Sequence, residues 1–567
     1  MNGKVYVVWP PVWNAFDPHV AVPALCGYLA EQGVVVRQFD LNVDFFRYLV
    51  APSTIEKLKQ TTASPVPDRI RNAIAFVRRY YEILRQPLQP GYQLRFSEDA
   101  EQHLLSNALA VFNHFQPETT LTTLAIYHNG DAEDSDFVAA FAAGETANPF
   151  VDFYRETFLR ELATERPAIV GISVCGSFQL GAALTLARLV KEVDSRILVI
   201  VGGAFFSTLP RLLFAPKTGA NLFRDVDAFV LNEGELPFRR LIRDVLSGSS
   251  LQAGPNIVLH KDRELHYDPR CFLPPEQIAT PVFPSGAVEK YFRAVARVPV
   301  EVSRGCYWGR CTFCNLPTGS NERYRPIPVD NIIRSIRTLT SRHRVSSVSF
   351  STLAMAPKVL RALAARLISE DLKIYWTAWI RPEKTLTRKD LELLRESGCS
   401  SLAVTPESFN NRTLERMAKG VGREDLIRIM GDLIDAGLCG AINLIPGFPG
   451  ETEEEFQSTL EVCRELGLRG EFFPFSLLRS SRVYEEPERF GAVLHESATK
   501  DLAVRVPFVY AADTSVPPAV ELIRRAAHRD PAHVFADDPL AGYTFDFSDS
   551  VRSHSSKSAA AALSIIR

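Results

Sequence analysis

Three cysteines stand within nine residues, in Cys306-Tyr307-Trp308-Gly309-Arg310-Cys311-Thr312-Phe313-Cys314. This stretch constrains the chain more than its composition does. Val298 to Val302 just before it reads as a short strand, and Ser303, Arg304 and Gly305 lead from the strand into the loop. Three closely spaced thiolates suit a soft metal centre. Four would close the coordination of a four-iron cluster; three leave one iron open to a small ligand. A structural zinc site completed by a distant residue, or three unrelated loop thiols, fits the same spacing.

The rest of the chain supplies context. At 567 residues it is too long for one core, so two or three domains are expected. Hydrophobic residues make up 46% and charged residues 23%, as in a soluble globular protein. Lys plus Arg number 64 against 66 Asp plus Glu, a net charge of −2 that gives no support for a nucleic-acid or membrane surface. Met1-Asn2-Gly3-Lys4 runs straight into Val5-Tyr6-Val7-Val8-Trp9, which reads as a buried strand and not as a signal peptide. The nine cysteines show no paired framework, so a reducing cytoplasm is the expected compartment.

Strand and helix signals alternate over residues 1–250, which implies an α/β domain with a doubly wound parallel sheet. The expected strands are Val5–Trp9, Val34-Val35-Val36 running on to near Asp40, Ile169–Ser173, Ile197–Val201 and Ala228–Leu231. The alternation breaks between about 44 and 167, which reads as a helical insertion, either a cover for the ligand face or a structural elaboration. Ligands of open parallel sheets bind at the carboxyl ends of the strands. Three such ends are polar or glycine-rich here: Ser173 to Phe178, Gly202 to Phe206, and Asn232 to Glu235. Residues 251–295, with Pro274, Pro275, Pro281 and Pro284, read as a linker. The alternation restarts at Pro299 and gives six strands with helices between them over 296–491, an open six-fold barrel with its chemistry at the carboxyl ends of the strands. Residues 492–547 are expected to form a small cap over the barrel mouth, and 548–567, rich in Ser and Ala, a disordered tail.

The cysteine stretch resembles the cluster-binding loop of the radical SAM enzymes, which has an aromatic just before its last cysteine, the place of Phe313 here. The first gap, Tyr307 to Arg310, is one residue longer than usual, as occurs in the cobalamin-binding branch of that family. Pro406-Glu407-Ser408 resembles the family's Glu-Ser motif, and Ile445 to Gly450 its glycine- and proline-rich turn. The order of Val170 to Ser173, Val201-Gly202-Gly203 and Gly234-Glu235 is similar to the cobalamin-binding domain fused ahead of many such enzymes.

The resemblance implies Cys306, Cys311 and Cys314 as cluster ligands. It implies Phe313, Arg381, Glu407, Ser408 and Gly447 around S-adenosylmethionine, with Arg381 pairing the methionyl carboxylate. Ser173, Gly202, Gly203, Glu233 and Gly234 would face cobalamin. The Asp-x-His-x-x-Gly signature is absent, so cobalt is expected to lack a protein histidine. The implied activity is a cobalamin-dependent radical SAM C-methylation of a peptide or small-molecule natural product; radical cyclisation or rearrangement without methyl transfer, and a non-enzymatic iron–sulfur or cobalamin protein, are the alternatives. A flavodoxin- or ferredoxin-type electron donor is expected, and no nucleic-acid or membrane partner.

Overall fold

Strand Pro167–Ser173 is buried along nearly its whole length, as a strand covered by layers on both faces must be. The computed structural model describes residues 2–60, 65–85, 98–122, 126–128, 133–208, 222–260, 271–293, 295–316, 321–511, 518–530, 532–538 and 542–548. In it this strand is central to a six-stranded sheet. The order runs Arg37–Asp40, Asn2–Trp9, Pro167–Ser173, Leu198–Gly202, Ala228–Val230 and Ile257–Leu259. The first five strands are parallel and the last antiparallel. Side chains alternate between faces with the period of two that a strand dictates. Val5, Val7, Ile169 and Ile200 enter one core, and Tyr6, Val8, Val170 and Val199 the other.

Two strand expectations are corrected. Val34–Val36 is not a strand, and Val35 is 88% exposed. Gly33, at φ 73, ends the preceding helix, and the Val34 N–H turns back to the Leu29 carbonyl, so pairing starts only at Arg37. Ile257–Leu259, inside the expected linker, forms the antiparallel edge of the sheet.

The insertion is helical, with helices from Leu41–Leu49 to Leu159–Glu165 and a short hairpin at Thr119–Leu121 and Ile126–His128. Phe45, Phe112, Phe141, Phe150 and Tyr154 pack it onto the sheet face that carries Tyr6 and Val170. It therefore serves as the second covering layer. Its polar end meets the C-terminal region, where the Leu502 N–H donates to the Glu133 carbonyl and the Ser135 N–H to the Asp501 carboxylate.

The second sheet holds six parallel strands in chain order: Arg297–Glu301, Ser347–Ser351, Tyr375–Ile380, Cys399–Glu407, Cys439–Leu444 and Arg469–Phe472. Helices such as Val329–His343 and Glu453–Glu465 connect them. Capping boxes at Thr387/Asp390 and Thr452/Glu455 start two of these helices where the sequence period predicts them. Val298, Val348, Trp376, Leu402 and Ile442 share one continuous core with Val5, Val7 and Ile200 of the first sheet.

The C-terminal region also reaches the edge of the barrel sheet. Its strands Gly542–Asp546 and Val534–Asp538 add antiparallel to Arg469–Phe472 and so cover the open edge of the barrel sheet. From residue 549 on, the expected tail lies outside the described residues.

Candidate cofactor-binding site

The first barrel strand ends at Glu301 and passes into a two-residue ribbon, Ser303–Arg304, paired antiparallel with Arg325–Pro326. The cysteine loop emerges between the two arms of this ribbon. Gly305 turns the chain at φ 78, where a Cβ would lie 2.4 Å from the Arg323 carbonyl oxygen. Thr312 pins the loop from below: its N–H donates to the Met417 carbonyl at 3.0 Å and its hydroxyl to the Arg416 carbonyl at 2.8 Å. The Trp308 indole N–H donates to the Ala418 carbonyl at 3.0 Å.

Cys306, Cys311 and Cys314 are free thiols held half-buried by these contacts. Burial pushes the Cys314 thiol up to about 11 and raises Cys311; the other two thiols add to the rise at Cys314, and Cys306 adds to it at Cys311. A bound metal reverses this penalty and holds the thiolate. The Leu316 N–H points at the Cys314 sulfur at 3.4 Å, the kind of donor that tunes cluster sulfurs. Among the described residues no three His, Cys, Asp or Glu side chains converge on one ion. Thiolates of a four-iron cluster each bind a different iron.

Glu407 closes the strand Cys399–Glu407 at φ 70, and its carbonyl accepts the Ile445 N–H at 2.8 Å. Its carboxylate faces Lys419 Nζ at 3.0 Å, with both side chains nearly buried. Lys419, Glu407 and Arg381 all act electrostatically on Cys311, which places them around the thiols. Arg381 lies over the Trp308 ring, 3.9 Å from its centroid, and pairs through Nη1 with Glu383, which also accepts the Tyr307 hydroxyl at 2.7 Å. Arg381 Nε and Nη2 are buried and find no partner among the described residues. One arm of the guanidinium is thus spent inside the protein and one edge is left for an anion.

Three residues expected at the site make contacts of their own inside the protein. Ser408 turns away from Glu407, and its hydroxyl meets Thr459 at 3.1 Å in the interior. Gly447, at φ 76, is packed against the C-terminal helix: a Cβ there would lie 2.4 Å from the Ala519 Cβ. Its N–H donates to Glu451 at 2.6 Å and its carbonyl accepts the Tyr510 hydroxyl at 2.5 Å. Phe313 packs with the cluster that contains Met417 and Phe448.

Above the first sheet a cavity of about 240 Å³ opens at the strand ends. Ser173, Gly202, Gly203, Glu233 and Gly234 all line it. Gly203 sits at φ 109 with the Val174 carbonyl oxygen 2.2 Å from where a Cβ would be, and at Gly202 the Val230 oxygen is at 2.9 Å. Side chains at these positions would displace the loops that shape the rim. Among the described lining residues there is no histidine. Glu233 is less free than expected: it pairs with Arg325 and Arg304 and accepts the Leu273 N–H at 2.6 Å. Neighbouring Glu235 is raised by burial, but Arg304 outweighs this and holds the carboxyl below its ordinary value.

Sequence reasoning did not assign Lys419, Glu301 or Arg304 to the site, and named Glu235 only at a polar strand end. Lys419 had a signal in Met417-Ala418-Lys419-Gly420, a helix-end pattern after Glu407-Ser408. Arg304 had only its place beside the loop.

Residues 135–242 match the B12 binding domain, and residues 300–463 match the radical SAM superfamily. The chain carries a B12-binding domain followed by a radical SAM domain. The paired domains have relatives and fold neighbours. The chain is 27% identical over 309 residues to an uncharacterised methyltransferase, PH0819, of Pyrococcus horikoshii, covering 53% of this chain and 65% of that protein. It is 28% identical over 322 residues to a tRNA-2-methylthio-N(6)-dimethylallyladenosine synthase of Sorangium cellulosum, covering 51% and 58%. The chain thus spans somewhat less than two thirds of these relatives. In fold, B12-binding and radical SAM domains together are similar to the radical S-adenosylmethionine methyltransferase TsrM from Kitasatospora setae, solved with cobalamin and a 4Fe-4S cluster. That likeness has a TM-score of 0.58 at 15% identity, over 95% of this chain and 87% of that one. The cobalamin-dependent radical enzyme OxsB, solved with aqua-cobalamin, gives 0.54 at 13%, over 96% and 64%. Among the described residues no helix is long and apolar enough to cross a membrane.

Proposed function

We propose that this protein is a cobalamin-dependent radical SAM methyltransferase acting on an unactivated carbon of a peptide or other natural product. One observation carries the reading. The cavity at the strand ends of the B12-binding domain shares its wall, through Glu301, Arg304 and Asn321, with the neck of the cysteine loop. A radical alone needs only the barrel, and methylation of a good nucleophile needs no cluster. Two such sites side by side suit a carbon too inert for ordinary displacement.

When bound, a 4Fe-4S cluster supplies the electron that cleaves S-adenosylmethionine, and cobalamin supplies a transferable methyl group. The chain's own residues do the rest. Cys306, Cys311 and Cys314 would hold the cluster, seated on Thr312 and its contacts at 416–417. The open edge of Arg381 would take a carboxylate, with Trp308 fixing the plane of its guanidinium. Glu407 offers acceptors to an amino group or hydroxyl, with Lys419 Nζ 3.0 Å from its carboxylate. Gly202 and Gly203 let the rim approach cobalamin closely. A flavodoxin- or ferredoxin-type donor would deliver the electron.

The test is anaerobic reconstitution of the wild type and of the variant with Cys306, Cys311 and Cys314 all replaced by Ala. The wild type is expected to hold about four irons per chain and, with a reductant, to release 5′-deoxyadenosine from S-adenosylmethionine. The variant is expected to lose both. A variant that keeps its iron would overturn the ligand assignment.

A further inference from the structure

Arg304 and Arg325 face each other across the ribbon that closes the neck of the cysteine loop. Both reach out of the barrel to the B12-binding domain. Arg304 donates through Nη2 to Glu235 at 2.6 Å, through Nε to Glu301 at 2.9 Å, and lies 3.3 Å from Glu233. Arg325 pairs with Glu233 and donates to the Leu273 carbonyl at 2.9 Å. Glu233 and Glu235 follow the strand Ala228–Val230 and form part of the cavity rim, and Arg304 itself lines the cavity. Glu233 and Glu235 are 4% and 7% exposed and Arg304 11%. A buried ion cluster of this kind is weak evidence for stability, because desolvation offsets most of the Coulomb gain. Its geometry fits registration of one part against another.

We propose that Arg304 is a positioning residue that couples the cysteine loop to the cavity, so that filling one favours the arrangement the other needs. The proposal rests on the cluster and cobalamin assignments above. A cluster on the three thiols fixes the loop and hence its neck, where Arg304 stands. A ligand in the cavity meets Glu233, Glu235 and Arg304 directly. Each event therefore orders a wall that belongs to both sites, and linkage makes the effect reciprocal.

The experiment is a titration of the full chain with hydroxocobalamin, followed by absorbance, with and without prior assembly of the cluster. For the wild type the cluster is expected to tighten cobalamin binding about fivefold or more. For Arg304→Gln the ratio of the two affinities is expected to fall to about one, the uncoupled limit. A merely structural loss would weaken both affinities alike and leave the ratio where it was. A wild-type ratio of one, or an Arg304→Gln ratio equal to a raised wild-type value, overturns the proposal. Should Arg304→Gln not fold, Glu235→Gln is read the same way, since it removes one carboxylate and leaves Arg304 paired to Glu233 and Glu301. A wild-type chain that takes up neither group overturns the proposed function itself, and the coupling with it.

Discussion

Lys419 and Glu407 are the pair on which the acid side of the site turns. With side chains 3% and 9% exposed and 3.0 Å apart, neither has water to fall back on. Removing one partner of a buried pair leaves a stranded charge, at a cost of roughly 3–5 kcal/mol. Lys419→Met is expected to lose about that much stability in urea unfolding, and Lys419→Met with Glu407→Gln to recover most of it. Equal stability of wild type and single variant would mean that the pair is open to solvent. Glu451 makes a pH prediction. Burial pushes its carboxyl up from 4.5 to about 8. Between those values the folded chain keeps a proton that the unfolded chain has released, so its contribution to stability falls as pH rises through that window. Glu451→Gln is expected to flatten the fall of unfolding free energy between about pH 5 and 8 by a few kcal/mol. An unchanged slope would contradict it. At this scale the place of the cysteine loop after a barrel strand was legible, because the apolar run Val298 to Val302 gives way to Ser303-Arg304-Gly305. Sequence places a residue at a strand end without saying which way its side chain turns, so the inner partners of Ser408 and Glu233 were not foreseen. One meets Thr459 and the other Arg325.

Strand ends do the work at the scale of elements, and the glycines there can be tested singly. Gly203 combines a φ of 109 with a backbone oxygen 2.2 Å from its missing Cβ. Gly203→Ala is expected to strain the rim by about 1–3 kcal/mol and to reduce the cobalt retained per chain, while iron per chain stays at the wild-type level. Equal loss of iron and cobalt would show a global defect in place of a local one. The parallel strands of both sheets were readable from the sequence, because apolar runs bounded by Gly and Pro leave little choice. Val34–Val36 failed for a local reason: β-branched residues directly after a helix stop are claimed by the helix's own closing hydrogen bond. The hairpin of Val534–Asp538 and Gly542–Asp546 failed for a non-local one. It is defined by pairing with Arg469–Phe472, some 70 residues earlier, and carries no motif of its own.

At the largest scale the described residues form two mostly parallel sheets that share one core, joined at the top by the ion cluster around Arg304. That arrangement sets the cavity of the B12-binding domain and the cysteine loop of the radical SAM domain against a common wall. The insertion and the C-terminal region meet where the Leu502 N–H donates to the Glu133 carbonyl and the Ser135 N–H to the Asp501 carboxylate. If this enclosure brings two cofactors to one substrate, each turnover uses S-adenosylmethionine twice, once as methyl source and once as radical source. The direct measurement gives the cobalamin- and cluster-loaded chain methyl-labelled S-adenosylmethionine, a reductant and a candidate natural-product substrate. It then counts label in product, S-adenosylhomocysteine and 5′-deoxyadenosine. The account predicts labelled product with the two by-products in near-equal amounts. Deoxyadenosine formed beside an unlabelled, rearranged product would contradict it.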